Sequence, residues 1–275
     1  MRRNRKAFQP DTSIPPHSDL LQFTNRNEET YSEILYPGRT SAQSPSNQLF
    51  SPVIKSPLNM NERKLILASG SPRRNELLGL FDIPFTTQPA DINEQKCNQE
   101  TPRQYVIRMA YEKGHSQMAA KDQIVLSADT TVDLDGMVLG KPVDAQDAAN
   151  ILKLMRARTH NVHTALSLHI GEDGAILRDV SLTRVTMRNY TDEEIEAYLA
   201  HNTFLDKAGG YAIQDVQFHP VEKIEGCYTN VMGLPLCQAY RLLKEAGLKV
   251  DVNIADVCRR YNDINCEVYP SILNE

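Results

Sequence analysis

The sequence predicts an α/β fold around a mixed β-sheet, and two observations carry that prediction. From Lys64 onward, short apolar runs alternate with amphipathic stretches at helical spacing. Later, "HNVHTALSLHI" and "LRDVSLTRVTMRNY" flank the turn-forming "GEDGA". That is the pattern of an antiparallel pair, and it excludes an all-parallel sheet. The 275 residues, 41% hydrophobic and 24% charged, suffice for one sizeable core or two small ones.

Residues 1 to about 60 read as a disordered or poorly ordered N-terminal extension. They mix Pro, Ser, Asn and Thr with apolar residues at no regular spacing, so they cannot bury enough apolar surface to offset their ordering entropy. Residues 61–250 read as the folded domain. "KLILA" is a buried strand, and "PRRNELLGLF" follows as a helix with Leu77, Leu78 and Phe81 on one face. In "TPRQYVIRMAYEKGHSQMAA", Thr101 is placed to cap a helix and Pro102 to open it. "QIVLSADTTVDLDG" reads as a strand, a polar break and a short strand closed by an Asp-Gly turn. "DAQDAANILKLMRAR" is a helix with acids in its first turn and bases in its last, as the helix dipole favours. After the antiparallel pair, "TDEEIEAYLAH" opens on a capping box of Thr191 and Glu194. "LPLCQAYRLLKEAG" is the last amphipathic helix, stopped by Gly247. Residues 251–275 form a short, polar, broken tail that reads as a peripheral appendage.

Composition narrows the function. No apolar run approaches the roughly 20 residues that span a bilayer, and the N-terminus lacks the apolar stretch of a secretory signal. A net charge of -5 argues against a nucleic-acid coating role, which needs a basic surplus. The five cysteines lie at scattered spacings without a CxxC pair, so they read as reduced thiols of a cytoplasmic protein, with Cys258 and Cys266 close enough in sequence to pair under oxidation. His160 and His163 fall on opposite faces of a strand, which disfavours a shared metal.

Three polar stretches follow predicted strands, where ligands of α/β sheets gather. In "ASGSPRRNELL" Ser71 becomes an N-cap, and Arg73 and Arg74 enter the first helical turn, where the dipole repels cations. An anion would reverse that penalty: free N–H groups, the Ser69 and Ser71 hydroxyls and two guanidiniums make a polyphosphate cradle. The stretch alone equally suits a solvated basic turn. In "LSADTTV" the Asp129 carboxylate could hold a divalent cation or accept a proton from water, or simply cap a turn. Downstream, "VLGKP" frames Lys141 as a point charge for phosphate or as an ordinary surface lysine. In "LDKAGGYAIQD", Tyr211 could stack on a ring and Gln214 read a base edge, or the segment could be a β-bulge with a packed tyrosine. Together the stretches argue for a nucleotide-processing enzyme.

In order, "LILASGSPRRNELL", "SADTTVDLDGMVLGKPVDAQDAANILKLM", "RTHNVHTALSL", "TDEEIEAYL", "DKAGGYAIQD" and "NVMGLPL" closely resemble the Maf family of nucleoside triphosphate pyrophosphatases, over about residues 62–248. The resemblance implies an extended mixed sheet with flanking helices and a cleft between two lobes, similar to inosine triphosphate pyrophosphatases. It implies hydrolysis of a nucleoside triphosphate to a monophosphate and pyrophosphate with a divalent metal, Mg²⁺ or Mn²⁺, and it brings a homodimer into consideration. By motif, Asp129 matches the catalytic acid, taken as proton acceptor and as a metal contact. Arg73, Thr130 and Gln214 match positions linked to substrate choice; Ser69, Arg74, Lys113 and Lys141 match positions lining the phosphate site. "SPRR", "ADT" and "DKAGxYxIQ" follow the branch acting on dTTP and UTP rather than the one acting on 7-methyl-GTP. The match departs at Asn93, where members usually carry an acid that helps hold metal or water, with Asp91 and Glu94 alongside. It departs again at Ala157, where glycine is common. A non-catalytic nucleotide-binding regulator linked to septum formation is the alternative, favoured by Asn93 and disfavoured by Asp129 and Lys141.

Overall fold

In the computed structural model of the chain, the run Lys64–Leu67 forms strand β1, buried over its last three residues. The structure describes residues 63–117, 120–171, 174–201 and 204–273. The described residues belong to one compact unit, and the extension assigned to residues 1–60 lies outside them. After β1 come α1 (Pro72–Gly79), β2 (Phe85–Thr87), α2 (Pro102–His115), β3 (Gln123–Leu134), β4 (Met137–Leu139) and α3 (Ala145–Met155). The second half holds β5 (Thr159–Ile170), β6 (Ile176–Met187), α4 (Asp192–Leu199), β7 (Val221–Glu225), α5 (Tyr228–Met232), α6 (Leu236–Glu245), α7 (Ile254–Asn262) and α8 (Tyr269–Leu273).

The strands join one mixed sheet in the order β2-β1-β3-β5-β6-β7, with β4 folded back on β3. β1 runs parallel to both β2 and β3, and the long β3, β5 and β6 run antiparallel, as the hairpin signal requires. The helix signals fall where the sequence puts them. Ser71 caps α1, Thr101–Gln104 and Thr191–Glu194 close capping boxes on α2 and α4, and Pro102 opens α2. Helix α2 lies tightly on β3 and β5, with Val106 and Ala110 against Ala165. Gly114 permits that approach, because a Cβ there would come within 2.4 Å of the His169 ring.

The structure corrects the reading of "QIVLSADTTVDLDG". There is no polar break: β3 runs unbroken from Gln123 to Leu134. Several of its polar residues are held in the sheet by partners, as when the Ser127 hydroxyl donates to the Ala110 carbonyl at 2.6 Å. β1 pairs with β3 only as far as Leu67↔Leu126, so Asp129 still projects just beyond the carboxyl end of the parallel strands. The tail reading also changes, since 254–262 form α7, which buries Ile254, Ala255 and Cys258 and packs on α6. β2, β7 and α5 are further elements that the sequence pattern did not reveal.

Candidate active site

Ser71 has extended backbone, its hydroxyl accepts from the Arg74 N–H, and Pro72 starts the helix, so α1 begins with its two arginines over the end of β1. They do different things. Arg74 turns inward: its Nε donates to the Gly233 carbonyl at 2.8 Å, its Nη2 to Thr130 Oγ1 at 3.1 Å and its Nη1 to Ser69 Oγ at 3.4 Å. Thr130 continues the chain to Thr164 Oγ1 at 2.9 Å, and Thr164 donates to the Asn230 carbonyl at 2.8 Å. Burial pushes the Arg74 guanidinium below its usual value, while neighbouring Asp129 opposes that effect. Arg73 is held only loosely, with Nη2 3.8 Å from Asp206 and a buried Nε that has no hydrogen-bond partner among the described residues.

Between α1, α2 and β3 lies a cleft of about 330 Å³. Arg73, Arg74, Lys113, Lys141 and Lys207 line it together with Glu94, Asp129 and Asp206. Ser69 lines an adjoining corner of about 280 Å³ that shares Arg74, Glu94, Lys113 and Lys141. At the centre, Lys113 from α2 places its Nζ 2.6 Å from Asp129 Oδ1 and 2.8 Å from Glu94 Oε1. Asp129 is 6% exposed. Burial raises its pKa, and the charges of Lys113 and Arg74 partly offset the rise. Glu94 behaves oppositely: partial desolvation works against ionisation, but the Lys113 hydrogen bond and the charges of Lys113, Lys141 and Arg74 hold its carboxyl below the usual range.

The cleft thus collects Arg73, Arg74, Lys113, Asp129, Thr130 and Lys141, with Ser69 at its corner. It does not collect Gln214. That residue is exposed in a neighbouring groove with Ile213, Tyr228 and Tyr261, which meets the cleft at Met232. Tyr211 forms cleft wall, buried, its hydroxyl 2.8 Å from His160 Nε2.

Among the lining residues that sequence reasoning did not assign to the site are Tyr105, Asp206, Lys207 and Glu94, the last named only as a neighbour of Asn93. Asp206 and Lys207 open the "DKAGGYAIQD" motif itself, and Tyr105 lies two helical turns before Lys113. The Asn93 departure proves local. The Asn93 amide oxygen accepts from the Gln95 N–H at 3.0 Å, a turn role, while the next residue, Glu94, supplies the cleft carboxylate.

Two carboxylates, Asp129 and Glu94, meet the same ammonium, Lys113 Nζ, and are the acidic side chains of this part of the cleft that could serve a Mg²⁺-type ion, which takes one or two carboxylates plus phosphate oxygens and water. No group of three or more His, Cys, Asp or Glu side chains among the described residues could cage such an ion alone. No described helix is long and apolar enough to cross a membrane.

The Maf-like protein family model matches residues 64–246. The dTTP/UTP pyrophosphatase of Escherichia coli (strain K12) is 47% identical over 181 residues, 65% of this chain and 91% of that protein. The dTTP/UTP pyrophosphatase of Geobacter sp. (strain M21) is 42% identical over 189 residues, 68% of this chain and 98% of that protein. Among solved structures, a HAM1 protein from Coxiella burnetii is 17% identical, with a TM-score of 0.34 over 46% of this chain and 74% of that one, too slight an overlap to argue from.

Proposed function

This chain belongs to the Maf-like family, and on that premise we propose that it is a nucleoside triphosphate pyrophosphatase acting on dTTP and UTP. The observation that carries the reading is the cleft itself, where five cations share the lining with three carboxylates, of which Asp129 is deeply buried. A cation surplus in a partly enclosed site suits a polyphosphate far better than a neutral ligand. The activity for which its relatives are named and the "SPRR", "ADT" and "DKAGxYxIQ" motifs support the pyrimidine nucleotide.

Asp129 takes the proton of a water that attacks the α-phosphorus. The new P–O bond forms as the bond from the α-phosphorus to the bridging oxygen breaks, and the electron pair leaves on pyrophosphate. A base needs a pKa near working pH, and burial moves Asp129 upward in that direction. Lys113 fixes the carboxylate's position and balances its charge. Arg73, whose buried Nε lacks an acceptor, and the exposed Lys141 neutralise the leaving phosphates, with Arg74 adding charge from behind. A divalent ion held by Asp129 and Glu94 would supply further neutralisation of the phosphate oxygens. Thr130 and Gln214 contribute to base choice, Gln214 from the adjoining groove.

With Glu94 in the cleft, the Asn93 departure no longer favours a non-catalytic regulator. A nucleotide panel coupled to inorganic pyrophosphatase tests the reading. Phosphate release is expected from dTTP and UTP ahead of purine nucleotides, and Asp129→Asn should abolish it while nucleotide binding persists. Faster turnover of 7-methyl-GTP than of both pyrimidines would refute the substrate assignment.

A further inference from the structure

Glu94 sits in a stretch, residues 88–97, with no regular secondary structure, so nothing in the backbone ladder fixes where its carboxylate lies. Helix α2 does fix it. The Tyr105 hydroxyl donates to the Glu94 carbonyl at 3.0 Å, and Arg108 Nη2 donates to the Gln95 carbonyl at 3.1 Å. Two successive carbonyls are therefore held by side chains three residues apart, which share one helix face. The same helix carries Lys113, which takes the Glu94 carboxylate at 2.8 Å. One rigid element grips both ends of the residue.

Arg108 is itself held. Its Nε and Nη2 make two 2.8 Å bonds to the Glu100 carboxylate, a fork geometry that fixes the guanidinium plane. Glu100 Oε2 also accepts from the Cys97 N–H at 3.1 Å, closing the far end of the loop. The Tyr105 hydroxyl is a durable donor, because burial and the nearby charges of Asp129 and Glu94 push its pKa up to about 12.

We propose that Tyr105 and Arg108 are positioning residues that lock the Glu94 loop onto α2, holding Glu94 at a fixed separation from Asp129 in the reactive site. The inference rests on the pyrophosphatase reading for its kinetic consequence, though not for the clamp itself.

Tyr105→Phe removes only the hydroxyl and keeps the ring. It should lower kcat/KM about fivefold, the factor one neutral hydrogen bond carries, with the loss in kcat. Arg108→Met should cost more. In a Glu94→Gln background both losses should shrink to less than about twofold, because a residue that acts only through Glu94 has nothing left to position. Hydrogen exchange of amides 91–98, measured without nucleotide, should be about tenfold faster in Tyr105→Phe than in wild type. Equal losses with and without Glu94, or unchanged exchange, would overturn the proposal. If wild type hydrolyses no nucleotide, the pyrophosphatase reading fails while the exchange measurement still decides the clamp.

Discussion

Replacing Lys113 by Met keeps the side chain's length and removes its charge. Lys113 and Asp129 side chains are only 11% and 8% exposed and lie 2.6 Å apart, so the substitution strands a carboxylate in a desolvated site. Breaking one side of such a pair costs about 3–5 kcal/mol. For a folded region of this size that lowers Tm by about 10 °C at neutral pH. The pH dependence makes the test specific. Asp129 binds its proton more tightly in the folded chain than in the unfolded one, because burial outweighs its cationic neighbours. Its contribution is therefore most favourable in acid, and it is lost as pH rises from the ordinary carboxyl value of about 4 through the raised folded value. Without Lys113 the folded value climbs further, and the penalty above it grows. Glu94 acts in the same sense: Lys113 depresses its folded value, which stabilises the chain above the ordinary carboxyl range and is lost in acid. Its half-exposed side chain makes its share smaller. The Tm deficit of Lys113→Met should thus be largest near pH 7–8 and shrink toward pH 4–5, as followed by circular dichroism melts. A deficit that is constant with pH would mean that the lysine contributes packing alone, and the ion-pair account would be wrong.

Ala157 has a left-handed φ of 55°, so Ala157→Gly should relieve strain and stabilise by about 0.5–1 kcal/mol, raising Tm by a few degrees in calorimetry. Gly233 has a φ of 106°, and a Cβ there would meet Arg74 Nε and Thr130 Oγ1 at 3.4 Å, so Gly233→Ala should cost about 1–3 kcal/mol and reduce kcat/KM. Burial lowers the His160 pKa to about 4, so folding loses stability as pH falls from about 6.5 through 4; His160→Gln should flatten urea-derived stability over that window by up to about 3 kcal/mol, with His169, also near 4, retaining its share.

Much of this was legible in the sequence, for identifiable reasons. The helix starts carried their own chemistry in Ser71-Pro72, Thr101-Pro102 and Thr191…Glu194, and each cap formed where its residues stood. The hairpin of β5 and β6 was announced by alternation around a Gly-rich turn. The "SADTT" stretch misled because polar residues in a row resemble a loop, and only the tertiary fold supplies the partners, Lys113 of α2 for Asp129 and Arg74 of α1 for Thr130, that let them remain in a strand. Helix α7 was hidden for a similar reason: its buried face is just Ile254, Ala255 and Cys258, too few apolar positions to stand out from a polar tail. Glu94 could not be placed, because its position depends on contacts with a helix that begins eight residues later. Ala157 was visible as a departure, but that it sits at positive φ was not.

The paired arginines of "SPRR" look equivalent in sequence, and the structure divides them. Arg74 already commits one N–H of each of its three nitrogens, to Gly233, Thr130 and Ser69, so its guanidinium is fixed in place and presents its charge to the cleft from a set position. Among the described residues Arg73 keeps a buried Nε without an acceptor, and its ion-pair partner, Asp206, is 55% exposed and pairs more closely with Lys207. An exposed ion pair at 3.8 Å is worth little, on the order of 0–1 kcal/mol, so a phosphate oxygen can take its place at small cost. Both cations stand at a helix N-terminus that repels them. Arg74 is compensated by the fold, through the Gly233 carbonyl and the nearby Asp129 charge. Arg73 has no comparable compensation among the described residues, and an anionic ligand in the cleft is what would provide it.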